Sequence, residues 1–116
     1  MKLAVRLAIA IALLVVAVVI WQNKKPALLN NQGVQLIEAG RYDEAVRVLE
    51  KARAAKPHDP RILRNLADAY DGSNRLREAL EVFEASHALV PLDYESALRM
   101  EEIRAELSRA PVPGVP

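Results

Sequence analysis

The chain has 116 residues, a formal net charge of +1 and no cysteine, so it holds one small domain plus a terminal segment, without disulfide, thiolate nucleophile or Cys metal site. The near-neutral total hides a split. Before Pro26 the only charged side chains are Lys2, Arg6, Lys24 and Lys25; beyond it twelve basic side chains face all fifteen acidic ones, leaving −3. A mildly acidic, mixed-charge domain is a poor fit to phosphate backbones, so no nucleic acid is expected among its partners.

Leu3–Trp21 is the first element, and from Leu7 to Ile20 every residue is Ala, Ile, Leu or Val. As a helix these residues span roughly 28 Å, close to a hydrocarbon core of ~30 Å. Arg6 lies near enough to the end to snorkel outward, Trp21 sits where an interfacial aromatic belongs, and Lys24 and Lys25 stop the span. A cleaved signal peptide is the rival reading, but Val19, Ile20, Trp21, Gln22 and Asn23 offer no small-x-small cleavage site. The expectation is a retained single-pass anchor in the cell membrane. Positive charge is nearly balanced across it, and a short N-terminal tail before a long domain favours export of the domain to the periplasmic side. Ala8 and Ala12 form a small-xxx-small pair able to pack on another membrane helix.

Gln22–Pro26 reads as a short polar linker, with Pro26 as the first residue of a new helix. Beyond it the chain repeats. Pro57 and Pro91 are 91 − 57 = 34 residues apart, and the same offset relates Tyr42 to Leu76, Glu44 to Glu78, Ala45 to Ala79 and Leu49 to Phe83. Each copy reads as two helices. Ala27–Ala39 is closed by Gly40, and Asp43–Ala55 follows; Asp59 caps a helix begun by Pro60, Gly72–Asn74 turns, and Arg75–Leu89 returns. Gly33, Ala45, Ala67 and Ala79 are small enough to let paired helices approach closely.

The segments GVQLIEAGRYDEAVRVLEKARAAKPHD and NLADAYDGSNRLREALEVFEASHALVPLD resemble tetratricopeptide repeats. The likeness rests on Gly33, Gly40, Tyr42, Ala45, Leu49, Ala52 and Pro57, then on Leu66, Ala67, Tyr70, Ala79, Phe83 and Pro91. Gln32, Asn74, Leu76 and Ser86 depart from the family pattern, which usually has Leu, Gly, an aromatic and Ala there. The apolar stripe Tyr94, Ala97, Met100, Ile103 and Leu107 looks like the helix that closes such arrays, with Glu95, Arg99, Glu102 and Glu106 on the outer face. The fold class is therefore all-α: one transmembrane helix followed by a hairpin array of two repeats and a cap. Its parts are anchor and flanks 1–25, repeats 26–59 and 60–93, capping helix 94–109 and a Pro-rich tail 110–116 that cannot be helical. Two repeats lie near the lower limit for stability, so a membrane partner or self-association is expected to add to it.

Catalytic chemistry has little support. His58 and His87 lack a second ligand at metal spacing, Asp68 and Asp71 share a helix without an enclosed pocket, and no Gly-rich phosphate loop is present. Neither enzyme activity nor a cofactor is expected. The resemblance implies that the first helix of each pair lines a concave protein-binding face. On that basis the groove residues are Asn30, Asn31, Val34, Ile37 and Glu38, then Arg64, Asn65, Asp68 and Asp71, then Arg99. Asn65 and Arg99 match part of the clamp by which some family members hold a peptide's C-terminal carboxylate, but Asn30, Val34 and Glu95 replace the rest. The reading is a non-catalytic interaction module, an accessory or scaffold subunit of a membrane protein complex, with homo-oligomers open. The alternative is a secreted soluble repeat protein with a cleaved signal peptide, acting as a carrier or assembly factor.

Overall fold

A computed structural model describes residues 2–109, so the expectation for the tail at 110–116 lies outside the described residues. Five helices follow one another: α1 (Lys2–Glu38), α2 (Tyr42–Ala55), α3 (Pro60–Gly72), α4 (Leu76–Leu89) and α5 (Tyr94–Arg109). The 34-residue period recurs in the backbone. α1 ends with Gly40 at φ 73° and α3 with Asn74 at φ 59°, the left-handed residue that terminates a helix. In the first turn the Gly40 N–H donates to Ile37 and the Arg41 N–H to Leu36; in the second Asn74 donates to Asp71 and Arg75 to Tyr70. These are the paired bonds of a Schellman ending, and they satisfy carbonyls that a helix end otherwise leaves open. The next helices open alike, with Arg41 bridging Glu44 and Arg75 bridging Glu78. At the other end Asp59 accepts from the Arg61 N–H at 3.0 Å and Asp93 from the Ser96 N–H at 2.8 Å, 93 − 59 = 34 residues apart.

Packing follows from this up-and-down order. α1 packs on α2, α3 on α4, α2 on α3 and α4 on α5, while α1 also touches α3 as successive repeats must. Each of α2 to α5 contributes one large, fully buried side chain to a shared core: Leu49, Leu66, Phe83 and Ile103. Close approach needs small residues between them. Ala45, Ala67 and Ala79 are fully buried, and a Cβ on Gly33 would fall within 3.0 Å of the Leu49 side chain.

Two features differ from the sequence expectation. There is no linker at 22–26, because α1 runs unbroken through Pro26 and the junction at 25–26 lies inside a helix. Proline removes one intrahelical bond, to the Gln22 carbonyl, and Gln22 is exposed so that water can take its place; the Pro26 ring itself is buried against the repeat. The apolar segment and the first repeat helix are thus one element, and five helices stand among the described residues where six were expected. The second difference is Tyr94, assigned to the inner stripe of α5 but 83% exposed. At 3.6 residues per turn, nine residues place Tyr94 about 180° from Ile103. The face that packs is Ser96, Met100 and Ile103, with Leu107 at its edge.

The N-terminal half of α1 stands clear of the repeats. An 18-residue window there has a mean hydropathy of 3.0 with none of it buried, long and apolar enough to cross a membrane. Ala8 and Ala12 lie on this exposed surface.

Candidate functional site

The concave side of the array forms an open cleft of about 630 Å³ where α1, α3 and α5 converge. Ile37 from α1, Arg64, Asp68 and Asp71 from α3, and Arg99 from α5 line it, together with Tyr42, Gly72, Glu95, Ser96, Leu98 and Glu102. Positions 64, 68 and 71 fall on one face of α3 because they are spaced by four and three residues. Gly72 keeps the end of α3 open to the ring of Tyr42, against which a Cβ would collide. Leu98, 46% exposed, supplies an apolar surface beside the charges.

Five of the ten groove residues expected from sequence therefore line this cleft, and five do not. Asn30 and Asn65 lie in the contact between α1 and α3, where the Asn65 side-chain amide donates to the Asn30 oxygen at 2.9 Å. Asn31 and Glu38 are exposed on α1 and Val34 is half-buried there, all outside the cleft lining. Glu95 and Glu102 were read as part of a solvated outer face, but the rotation of α5 that turns Tyr94 outward brings them to the cleft. The same phase calculation on α5 would have found them.

The electrostatics are lopsided. Four carboxylates, on Asp68, Asp71, Glu95 and Glu102, face two guanidinium groups, on Arg64 and Arg99. Both arginines are already engaged. Arg99 donates through Nε and Nη2 to the two Asp71 oxygens at 2.7 and 2.8 Å, and through Nη1 to Glu102 and Glu106 at 3.1 Å. Fork-on-carboxylate bonding of this kind holds the guanidinium fully charged. Arg64 turns away to Asp93 at 2.6 Å. Asp68 is left without a hydrogen bond or ion pair among the described residues, and burial pushes its carboxyl up to about 6, against the pull of Arg64. Both residues matching the carboxylate clamp are thus committed within the chain, to Asn30 and to the acids around Arg99. The field of the cleft repels an incoming carboxylate and attracts a cation.

The two histidines lie outside the cleft. His58 is in the exposed α2–α3 loop, and His87 Nδ1 accepts from the Leu92 N–H at 3.3 Å, steadying the turn after α4.

No curated protein matches the chain. Among solved structures, the first TPR of Spaghetti (RPAP3) bound to the HSP90 peptide SRMEEVD is 21% identical, covering 73% of this chain and 94% of that one with a TM-score of 0.41. The first TPR domain of the human RPAP3 protein, determined by NMR, is 20% identical with the same coverages and TM-score. Residues 36–100, more than half of the sequence, match the family described as Tetratricopeptide repeat. The chain belongs to the tetratricopeptide repeat family, whose repeats mark a protein–protein interaction module.

Proposed function

We infer that the chain is a membrane-anchored, non-catalytic interaction module, an accessory or scaffold subunit that holds a partner segment beside the bilayer. The observation that carries this reading is α1 itself: one helix supplies both the exposed apolar span and Ile37 of the cleft wall. A partner seated in the cleft is then held at a fixed height above the membrane, without a tether to diffuse on.

The partner segment carries a Lys, an Arg or an amino terminus. Its cation sits on Asp68, whose carboxylate lacks a charge partner of its own, while an adjacent apolar side chain packs on Leu98 and Tyr42. Ionised Asp68 costs folding free energy in the empty cleft, and a bound cation offsets that cost. Export of the domain to the periplasmic side is part of this proposal, supported by the short N-terminal tail before a long domain, the positive charge being nearly balanced across the span.

Affinity purification of the full chain in mild detergent tests the reading. Chains that co-purify with the wild type should be lost with Asp68→Lys and retained with Arg47→Ala, a substitution outside the cleft. Recovery of the same chains with Asp68→Lys would remove the cleft from the account.

A further inference from the structure

We propose that the loop edge of the repeat array nearest the span lies on the headgroup layer of the same bilayer and recognises anionic lipid. The proposal rests on the membrane reading of α1 and deepens it.

The geometry starts from chain direction. α1 enters the array at Pro26, so the turns at 39–41 and 73–75 lie at its far end and the loops at 56–59 and 90–93 return to the entry end. Side-chain bonds fix the level. Asn30, four residues beyond Pro26, pairs with Asn65, five residues beyond Pro60, so α1 and α3 enter the array at nearly equal depth. The Ser86 hydroxyl donates to the Pro60 carbonyl at 3.2 Å, and Arg64 bridges Asp93, which brings the end of α4 and the start of α5 to the same level. All three segments therefore lie at about the depth of the start of the array at Pro26, just beyond Lys24 and Lys25, where the apolar span ends.

The chemistry of this edge differs from that of the rest of the domain. Lys24, Lys25, Lys56 and Arg61 are exposed there, with Arg61 3.6 Å from Asp59; Asp59 and Asp93 also accept from helix N–H groups, and Glu95 is exposed beside Tyr94. The loops' own charges cancel, Lys56 and Arg61 against Asp59 and Asp93, so the positive excess of the edge is that of Lys24 and Lys25 at the end of the span. Apolar side chains stand out between the charges: Leu28 is 64% exposed, Val90 50% and Tyr94 83%. Exposed cations interleaved with an aromatic and aliphatic side chains are what an interface between water and headgroups accommodates, the cations facing phosphate and the tyrosine its glycerol level. Trp21 already shows the pattern at the end of the span, with the Lys25 ammonium 5.3 Å from its ring centre.

The chain has no cysteine, which permits single labels. The full chain is reconstituted into vesicles of phosphatidylglycerol and phosphatidylcholine and labelled with a fluorophore at His58→Cys, at Val90→Cys or, at the far end, at Arg77→Cys. Quenching by headgroup-spin-labelled lipid is then read, after flotation in carbonate. Labels at 58 and 90 should be quenched and the label at 77 should not. Lys56→Glu with Arg61→Glu should lower the ratio of docked to undocked domain by roughly thirtyfold or more, since each basic residue near an anionic surface contributes about 1 kcal/mol and reversal adds repulsion. The milder Lys56→Ala, with helix content checked by circular dichroism, guards against misfolding and should give a smaller loss in the same direction. Flotation with no more quenching at 58 and 90 than at 77 overturns the proposal and leaves the anchor standing. Quenching that is equal in pure phosphatidylcholine and unmoved by charge reversal overturns the recognition of anionic lipid. Failure to float overturns the anchor and the proposal together.

Discussion

Gly40 and Asn74 hold the same left-handed position in successive repeats, and only the first is a glycine. An L residue pays a steric penalty there that asparagine softens without abolishing. Asn74→Gly should therefore raise stability by about 0.5–1 kcal/mol, and Gly40→Ala should lower it by about 1 kcal/mol, both read from thermal unfolding in detergent. Gly33 is constrained by space rather than by φ: Gly33→Ala drives a methyl into Leu49 and should cost about 1–3 kcal/mol. Asp68 gives a pH signature. Its carboxyl is raised from 3.8 to about 6, so the folded chain holds a proton that the unfolded chain has released across that window. Stability from this group is complete below the ordinary value and is lost as pH rises through 6. Asp68→Asn should thus stabilise the chain by roughly 1–2 kcal/mol at neutral pH and not at all in acid below the window. An equal gain in both would mean that the mutation acts through packing. The turn glycine and the cap at Asp59 were legible in sequence because their chemistry is local. Asp68 was legible only as a groove candidate, since its missing partner depends on where Arg64 and Arg99 turn.

At the scale of elements, α5 is latched to α3 by Arg99. Half-exposed ion pairs are weak, but a two-bond fork with two further acids holding the same arginine is the favourable case. A double-mutant cycle on Asp71 and Arg99 should return a coupling of about 1 kcal/mol, and Arg99→Ala should release amide protection in α5 before α3. Equal loss in both helices would contradict the latch. Pro26 is the other elemental question. An interior proline costs about 3 kcal/mol against alanine, partly offset here by the buried ring, so Pro26→Ala should raise stability by about 1 kcal/mol and leave α1 continuous. The period of 34 was legible because each repeat position packs or caps like its partner. Continuity through Pro26 was not, because proline's preference for a helix start is local while the packing that holds α1 together is tertiary. Tyr94 was misplaced because a stripe written every three residues drifts about 60° per step on a helix of 3.6.

Across the whole molecule, the long axis of 79 Å against a width of 28 Å reflects α1 projecting from the array. The projecting half has no contact that would keep it in water, since none of its apolar window is buried. Fold class was legible at this scale from the apolar run and the repeat together. The occupant of the cleft was not, because an open groove is defined by the charges left unpaired in it. The central claim is that one uncleaved helix anchors the module and shapes its groove. It is tested most directly by intact-mass measurement of the chain recovered from carbonate-washed membranes. The account predicts a mass that includes residues 1–21, found in the pellet; a mature chain beginning after Trp21 and found in the soluble fraction would contradict it.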